Sequence, residues 1–116
     1  MDNSLANKLF IEDIDIAFEQ VAPGVMRKVI TYDKQLMLVK VIFKKDAIGT
    51  IHHHIHTQIT YIEKGIFEVT IGDQTKTLET GSSFYVPPNS PHGVYCLEAG
   101  VLIDVFSPMR EDFITK

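Results

Sequence analysis

Cysteine, basic clusters and long apolar runs are scarce in this sequence, and each shortage removes a class of protein. A single cysteine, Cys96, stands in 116 residues, so no disulfide can form within the chain, and the usage fits a reducing compartment. Eleven Lys and Arg are set against fifteen Asp and Glu, for a formal net charge of −4, and nowhere do the cations gather into a stripe. Neutralising phosphates needs clustered Lys and Arg, so a nucleic-acid partner is not expected. Met1 to Lys8 mixes acid, amide and Lys without an apolar stretch, which argues against a signal peptide. No segment reaches the about 20 apolar residues of a membrane helix. A cytoplasmic protein with no membrane contact is the expectation. Internal repeats, low-complexity tracts, linkers and a helix-turn-helix segment are also missing.

What is present is ordinary globular material, 45% hydrophobic and 22% charged, at the length of one domain. We divide residues 1–116 into an N-terminal arm (1–24), a barrel (25–108) and a C-terminal tail (109–116). A chain this short buries a modest share of its surface, so pairing would help it. The apolar arm from Leu9 to Phe18 would suit exchange between two copies, and a homodimer is expected.

The dominant period is two. Leu36, Leu38, Lys40 and Ile42 alternate with Met37, Val39, Val41 and Phe43, and both sets are largely apolar, which predicts a strand covered on both faces. Further β-rich runs are Ile59–Glu63, Ile66–Ile71, Phe84–Val86, Gly93–Leu97 and Val101–Phe106. Lys64-Gly65, Gly72-Asp73, Thr80-Gly81, Pro87-Pro88-Asn89 and Ala99-Gly100 punctuate them as turns, with Gly72-Asp73 reading as a tight hairpin. Many short strands at this spacing make an all-β sandwich or barrel. Ile11 to Gln20 reads as a strand or a short irregular arm, and Arg110 to Lys116 as a helical tail or loop.

Four of the five histidines fall in His52-His53-His54-Ile55-His56, followed by Gln58, and the fifth is His92. On a strand, His52 and His54 share a face roughly 6.6 Å apart, close enough for two imidazoles to meet on one ion. A straight strand would carry Gln58 roughly 13 Å past His54. For Gln58 to join them the chain must turn around Ile55 to Thr57, which makes His56 a turn or cavity-rim residue. A histidine run can equally be surface decoration with adventitious metal affinity.

These residues match two motifs, and the chain resembles the cupin family over roughly Leu38 to Pro108. The first motif runs Gly49-Thr-Ile-His52-His-His54-Ile-His-Thr-Gln58-Ile-Thr-Tyr61-Ile-Glu-Lys-Gly65. The second runs Gly81-Ser-Ser-Phe-Tyr-Val-Pro87-Pro-Asn89-Ser-Pro-His92. The resemblance implies a double-stranded β-helix, or jelly-roll, barrel. It also implies one divalent metal ion on His52, His54, Gln58 and His92. Gln58 stands where Glu is commoner, so the ligand set is less anionic and suits a borderline ion such as Zn, Ni, Fe or Mn.

In Val101-Leu-Ile-Asp104-Val-Phe106-Ser-Pro-Met-Arg110, Asp104 and Phe106 share one face with Leu102. A carboxylate among apolar residues is desolvated unless it pairs or does work; the plain alternative is an edge-strand Asp turned to solvent. Arg110 by default is a solvated loop residue. This D-x-F-x-x-x-R segment resembles the small cupins of pectin and alginate degradation called KdgF. Those proteins open 4,5-unsaturated uronates to linear 4-deoxy-5-keto uronates. The resemblance implies a small anionic sugar-acid substrate, with Asp104 and Arg110 catalytic and Arg110 and Phe106 on the substrate. A ligand-binding cupin without turnover and a metal-dependent dioxygenase are the alternatives. Tyr61 reads as core or cavity wall, Cys96 as a buried apolar residue, and parity leaves Arg27 and Lys40 undecided between the two faces.

Overall fold

The computed structural model describes residues 8–115. Its strands, in chain order, are β1 (Glu19–Ala22), β2 (Val25–Tyr32), β3 (Met37–Phe43), β4 (Ile48–His52), β5 (Thr57–Ile71), β6 (Gln74–Glu79), β7 (Ser83–Val86) and β8 (His92–Ser107). Two 3₁₀ turns, Asp13–Asp15 and Glu111–Phe113, flank them. Every strand pairing is antiparallel. Among the described residues no helix is long and apolar enough to cross a membrane.

The two long strands carry the architecture. β5 and β8 pair along their whole lengths, but their other neighbours change halfway. The first half of β5 pairs with β7 and the second half with β6. The first half of β8 pairs with β4 and the second half with β3. The result is two layers, β1-β2-β3-β8-β5-β7 and β4-β8-β5-β6, joined through the bent middles of β5 and β8. One core cluster lies between them. It runs from Met37, Val39, Val41, Ile62, Leu102 and Phe106 to Phe67, Val69 and Cys96, and Phe43 meets Phe67 edge-on at 5.3 Å.

Sequence punctuation predicts turns at Lys64-Gly65 and Ala99-Gly100, whereas the structure runs continuous strands through both. The pairing register shifts between Ile62 and Phe67, so the bend is made by bulges. Gly65 has φ +103°, a conformation glycine adopts without Cβ strain. The two glycines also sit against each other. A Cβ on Gly65 would lie 2.7 Å from the Glu98 oxygen and from the Gly100 Cα, and one on Gly100 would fall on the Lys64 oxygen.

β3 buries Met37, Val39, Val41 and Phe43 and leaves Leu38, Lys40 and Ile42 half-buried, so its second face is covered only in part. The arm is irregular through Phe18 and becomes strand at Glu19. It is fastened by buried Lys28, whose Nζ donates to the Asp13 and Ile16 carbonyls (3.0 and 3.3 Å) and pairs with Asp13 Oδ1 at 2.7 Å. Residues 1–7 of the expected arm and residue 116 of the tail lie outside the described residues.

Because the Gly65–Gly100 contact is backbone against backbone, Gly100→Ala is expected to lower the unfolding free energy by about 1–3 kcal/mol. Urea melts read this directly, and an unshifted midpoint would show that the corner has room.

Candidate metal centre and cavity

β4 ends at His52 and β8 begins at His92, and the two are cross-strand partners, which sets their rings 4.4 Å apart. The chain then leaves the strand over residues 53–56 and re-enters it at Thr57, the turn that Gln58 requires. The Pro87-Pro88-Asn89 turn clamps this loop, because the Asn89 N–H donates to the His54 carbonyl at 2.7 Å. His54 is thereby held with its ring 4.8 Å from His92 and 5.5 Å from His52. The metal-ligating atoms of His52, His54 and His92 all lie within 4.8 Å of one another, and Gln58 Oε1 sits 3.1 Å from His54 Nε2. His53 is exposed and His56 is half-buried, its ring 5.2 Å from His54.

The hydrogen bonds fit these residues to a cation. His52 Nδ1 faces the Thr50 carbonyl at 2.8 Å and His92 Nδ1 the Ser90 carbonyl at 2.9 Å. A carbonyl only accepts, so Nδ1 carries the proton and the Nε2 lone pair is free. His92 Nε2 is buried without a hydrogen-bond partner. His54 has an acceptor at each nitrogen, the His56 carbonyl at 3.2 Å and Gln58 Oε1 at 3.1 Å. Burial first, then the Arg110 charge, pushes its pKa down to about 4, so at neutral pH it has one proton for two oxygens. One lone pair therefore faces another, and a cation between them relieves the repulsion. Burial likewise holds His92 below the usual imidazole range. Three imidazoles anchored through their far nitrogens, with an amide oxygen, are a donor set for a borderline divalent ion.

Beside these histidines opens a cavity of about 210 Å³, lined by His52, His92, Gln58, Asp104, Arg27 and Arg110 among others. That is below the range typical of drug-sized ligands and limits the occupant to a small molecule. Asp104 lies in β8 between β3 and β5, so the edge-strand alternative does not hold, and its accessible side opens into the cavity. Phe106 is 2% exposed, its ring packed against His54 at 5.7 Å and Phe113 at 5.6 Å.

Arg110 is buried rather than solvated. Its Nε and Nη2 donate to the two Asp112 oxygens at 3.0 and 2.9 Å, so a carboxylate of the chain itself already engages part of its fork. Arg27 is the cavity residue that sequence parity left open. It points inward while Lys40 points outward to Asp13 at 3.9 Å. Its guanidinium stacks on Phe113 at 3.7 Å, and Arg110 lies 4.2 Å from the same ring. Glu19 meets Arg27 Nη2 at 3.5 Å. Tyr61 is not a cavity wall: at 47% exposed it stands on the outer face. Cys96 is fully buried, and burial raises its thiol pKa, consistent with a packing role.

The cupin domain family model matches residues 39–106. The pectin degradation protein KdgF of Dickeya dadantii (strain 3937) is 47% identical over 109 residues, covering 92% of this chain and 98% of that protein. The chain belongs to the KdgF family of cupins. An RmlC-like cupin from Shewanella frigidimarina NCIMB 400 superposes with a TM-score of 0.90 at 38% identity, covering 94% of this chain and 98% of that one. The structure of KdgF from Halomonas sp. superposes with a TM-score of 0.88 at 36% identity, covering 92% and 99%.

For a KdgF homologue the electrostatics around Asp104 are the informative feature. Burial raises its pKa to about 6, against the opposing pull of the Thr60 hydroxyl, Arg110 and Arg27. An acid whose pKa is raised on folding is a liability wherever it is ionised in the native state. The cost is full above pH 6, shrinks as pH falls, and is gone near pH 4, where the unfolded chain also protonates. From 3.8 to about 6 the shift corresponds to about 3 kcal/mol. Asp104→Asn keeps an oxygen for Thr60, so in metal-stripped protein it should be more stable than the native chain at pH 8, with the gap closing by pH 4. Thermal melts across that range test this, and a destabilised variant at pH 8 would contradict the assigned burial cost.

Proposed function

We propose that the protein opens the ring of 4,5-unsaturated uronate monosaccharides, giving linear 4-deoxy-5-keto uronates. The observation that carries this reading is Asp104, a carboxyl brought to about pKa 6 in a small cavity that also holds two guanidiniums and a metal-ready imidazole cluster. Kinship with proteins named for pectin degradation supports it.

The reaction is an isomerisation. The hydroxyl on carbon 1 loses its proton, the bond from carbon 1 to the ring oxygen breaks, and its electrons leave an enolate over carbons 4 and 5. Carbon 4 then gains a proton and carbon 5 becomes a ketone. No water is consumed and no electron is transferred. Asp104 is the residue for both proton movements. Ionised, it accepts the hydroxyl proton; protonated, it returns one to carbon 4. A pKa near the working pH lets one group serve in both forms. Arg110 binds the substrate carboxylate through the edge of its guanidinium that Asp112 leaves over, and Arg27 adds a second positive charge. Phe106 shapes the wall. His52, His54, Gln58 and His92 would hold a divalent ion (Zn, Ni, Fe or Mn), which would supply Lewis acidity and a template for oxygen ligands.

Asp104→Ala should retain bound metal yet lose about 10²–10⁴-fold in kcat, whereas Arg110→Ala should chiefly raise KM. Both are read by the disappearance of the unsaturated chromophore, under argon as well as air. Native-like turnover in Asp104→Ala refutes the assignment. Turnover that stops without oxygen would point to a dioxygenase, and saturable binding with no turnover to a ligand sensor.

We also infer a cytoplasmic homodimer. The unpaired, buried Cys96 suits a reducing compartment. For the dimer, the support is apolar surface on one face. Leu38, Val105, Ile59 and Tyr85 form one row across β3, β8, β5 and β7, with Ile59 53% and Tyr85 56% exposed. In the arm, Leu9, Phe10 and Ile14 stand at 85–88% exposed. Patches of this kind mark interfaces. Light scattering should give the mass of two chains for the native protein and of one for Ile59→Asp; a native monomer would remove the idea.

A further inference from the structure

Thr60 is fully buried and stands between the two halves of the site. It is the cross-strand partner of Asp104 and lies two residues beyond Gln58 on the same inward face. Gln58 Nε2 donates to Thr60 Oγ1 at 2.9 Å, and Thr60 Oγ1 donates to Asp104 Oδ1 at 2.6 Å.

The direction of this chain follows from counting protons. A hydroxyl has one proton to give. The 2.6 Å contact with the carboxylate has the length of a charge-assisted O–H···O⁻ bond, so the proton is committed to Asp104. Thr60 can then only accept from residue 58, which must present an N–H there. With its amide nitrogen turned to Thr60, Gln58 must turn its oxygen to the histidines, where it lies 3.1 Å from His54 Nε2. A glutamate at 58 could not do this. It would have no donor for Thr60, and two carboxylates would compete for a single hydroxyl proton. The amide that departs from the usual acidic ligand thus has a physical reason in this chain.

We propose that Thr60 is a positioning residue that sets both the metal-facing oxygen of Gln58 and the protonation of Asp104, and that the Gln58–Thr60–Asp104 chain requires an amide at position 58. The description of Asp104 as catalytic rests on the proposed ring opening; the hydrogen-bond chain does not. Besides Thr60, the charged groups acting on Asp104 are Arg110 from the tail and Arg27 from β2, and they are untouched by changes at 60.

The test compares Thr60→Val, which keeps the shape and removes the hydroxyl, with Thr60→Ser, which restores it. Zinc or manganese ions titrated against a chromophoric chelator should bind about tenfold or more weakly to Thr60→Val. The carbon-13 signal of the Asp104 carboxyl, followed in metal-free protein, should titrate about half a unit or more higher, since a donor to the charged form is lost. Thr60→Ser should return both values toward the native ones. Native metal affinity and native Asp104 titration in Thr60→Val would overturn the proposal, and so would loss of both that Thr60→Ser fails to rescue. Neither readout needs substrate, so a native protein that opens no uronate ring would sink the proposed function and leave these arms standing. Should Thr60→Val not fold, Gln58→Glu is the second variant. It should hold the metal at least as tightly as the native protein while the Asp104 carboxyl signal of the metal-free variant titrates higher, since a second carboxylate then competes for the Thr60 proton. A native Asp104 titration there would equally refute the chain.

Discussion

Both ends of one strand touch the same imidazole. His92 opens β8 and Phe106 lies near its close, a separation of roughly 46 Å in a straight strand, yet the two rings sit 4.8 and 5.7 Å from His54. Only the bend at Gly65 and Gly100 makes this geometry available, and β5 bends with β8 because the two stay paired throughout. The bend turns one long hairpin into two facing layers. It also places the His92 end of β8 and its Asp104 end on one cavity. The fold and the site therefore depend on a backbone contact that excludes any side chain at two positions.

That constraint explains what could and could not be read from the residues in order. Alternation located β3 and the halves of β5 and β8, and the two motifs located the histidines, because both are local patterns. The need for a turn before Gln58 was legible from reach alone. The continuity of β5 and β8 was not, since a glycine inside a bulge and a glycine in a turn look alike in sequence. The inward pointing of Arg27 depends on pairing register across β2, β3 and β8 and leaves no mark in its neighbours. Tyr61 was misjudged because its Thr60 and Ile62 neighbours, not Tyr61 itself, face the core. Asp112 was a visible acid two residues past Arg110, but only the 3₁₀ turn brings its carboxylate back onto the guanidinium.

The inner face of this site carries polar groups that a core built for stability alone would lack. Gln58, Thr60 and Arg110 are buried, and Asp104 opens only to the cavity. Gln58, Thr60 and Asp104 are hydrogen-bonded in series and Arg110 is bonded to Asp112, which makes each tolerable. Of the three buried side-chain atoms without a partner among the described residues, His92 Nε2 and Arg27 Nε belong to residues that line the cavity and His56 Nδ1 lies in the loop beside it. The destabilising groups sit where a ligand is expected, a distribution more typical of a working site than of a packing defect.

The charge balance of the cavity decides which ligands it admits. Asp104 is the one carboxylate in its lining, against Arg27 and Arg110, and a divalent ion on imidazoles and an amide would add two more positive charges. Had residue 58 been a glutamate, one of these would be cancelled at the metal. The chain as a whole is acidic, at −4, so this interior is a local positive well inside a negative protein. Asp112 and Glu19 offset the arginines from outside the lining, which keeps the guanidiniums tolerable without an occupant. A small carboxylate entering the cavity would gain Coulomb energy from the two guanidiniums, and under the proposed ring opening it leaves Asp104 as the one lining carboxylate to take a proton from it. On the proposed reading, the amide at 58, the buried threonine and the two arginines serve one electrostatic end: an anion would be held beside a single base whose charge it does not neutralise.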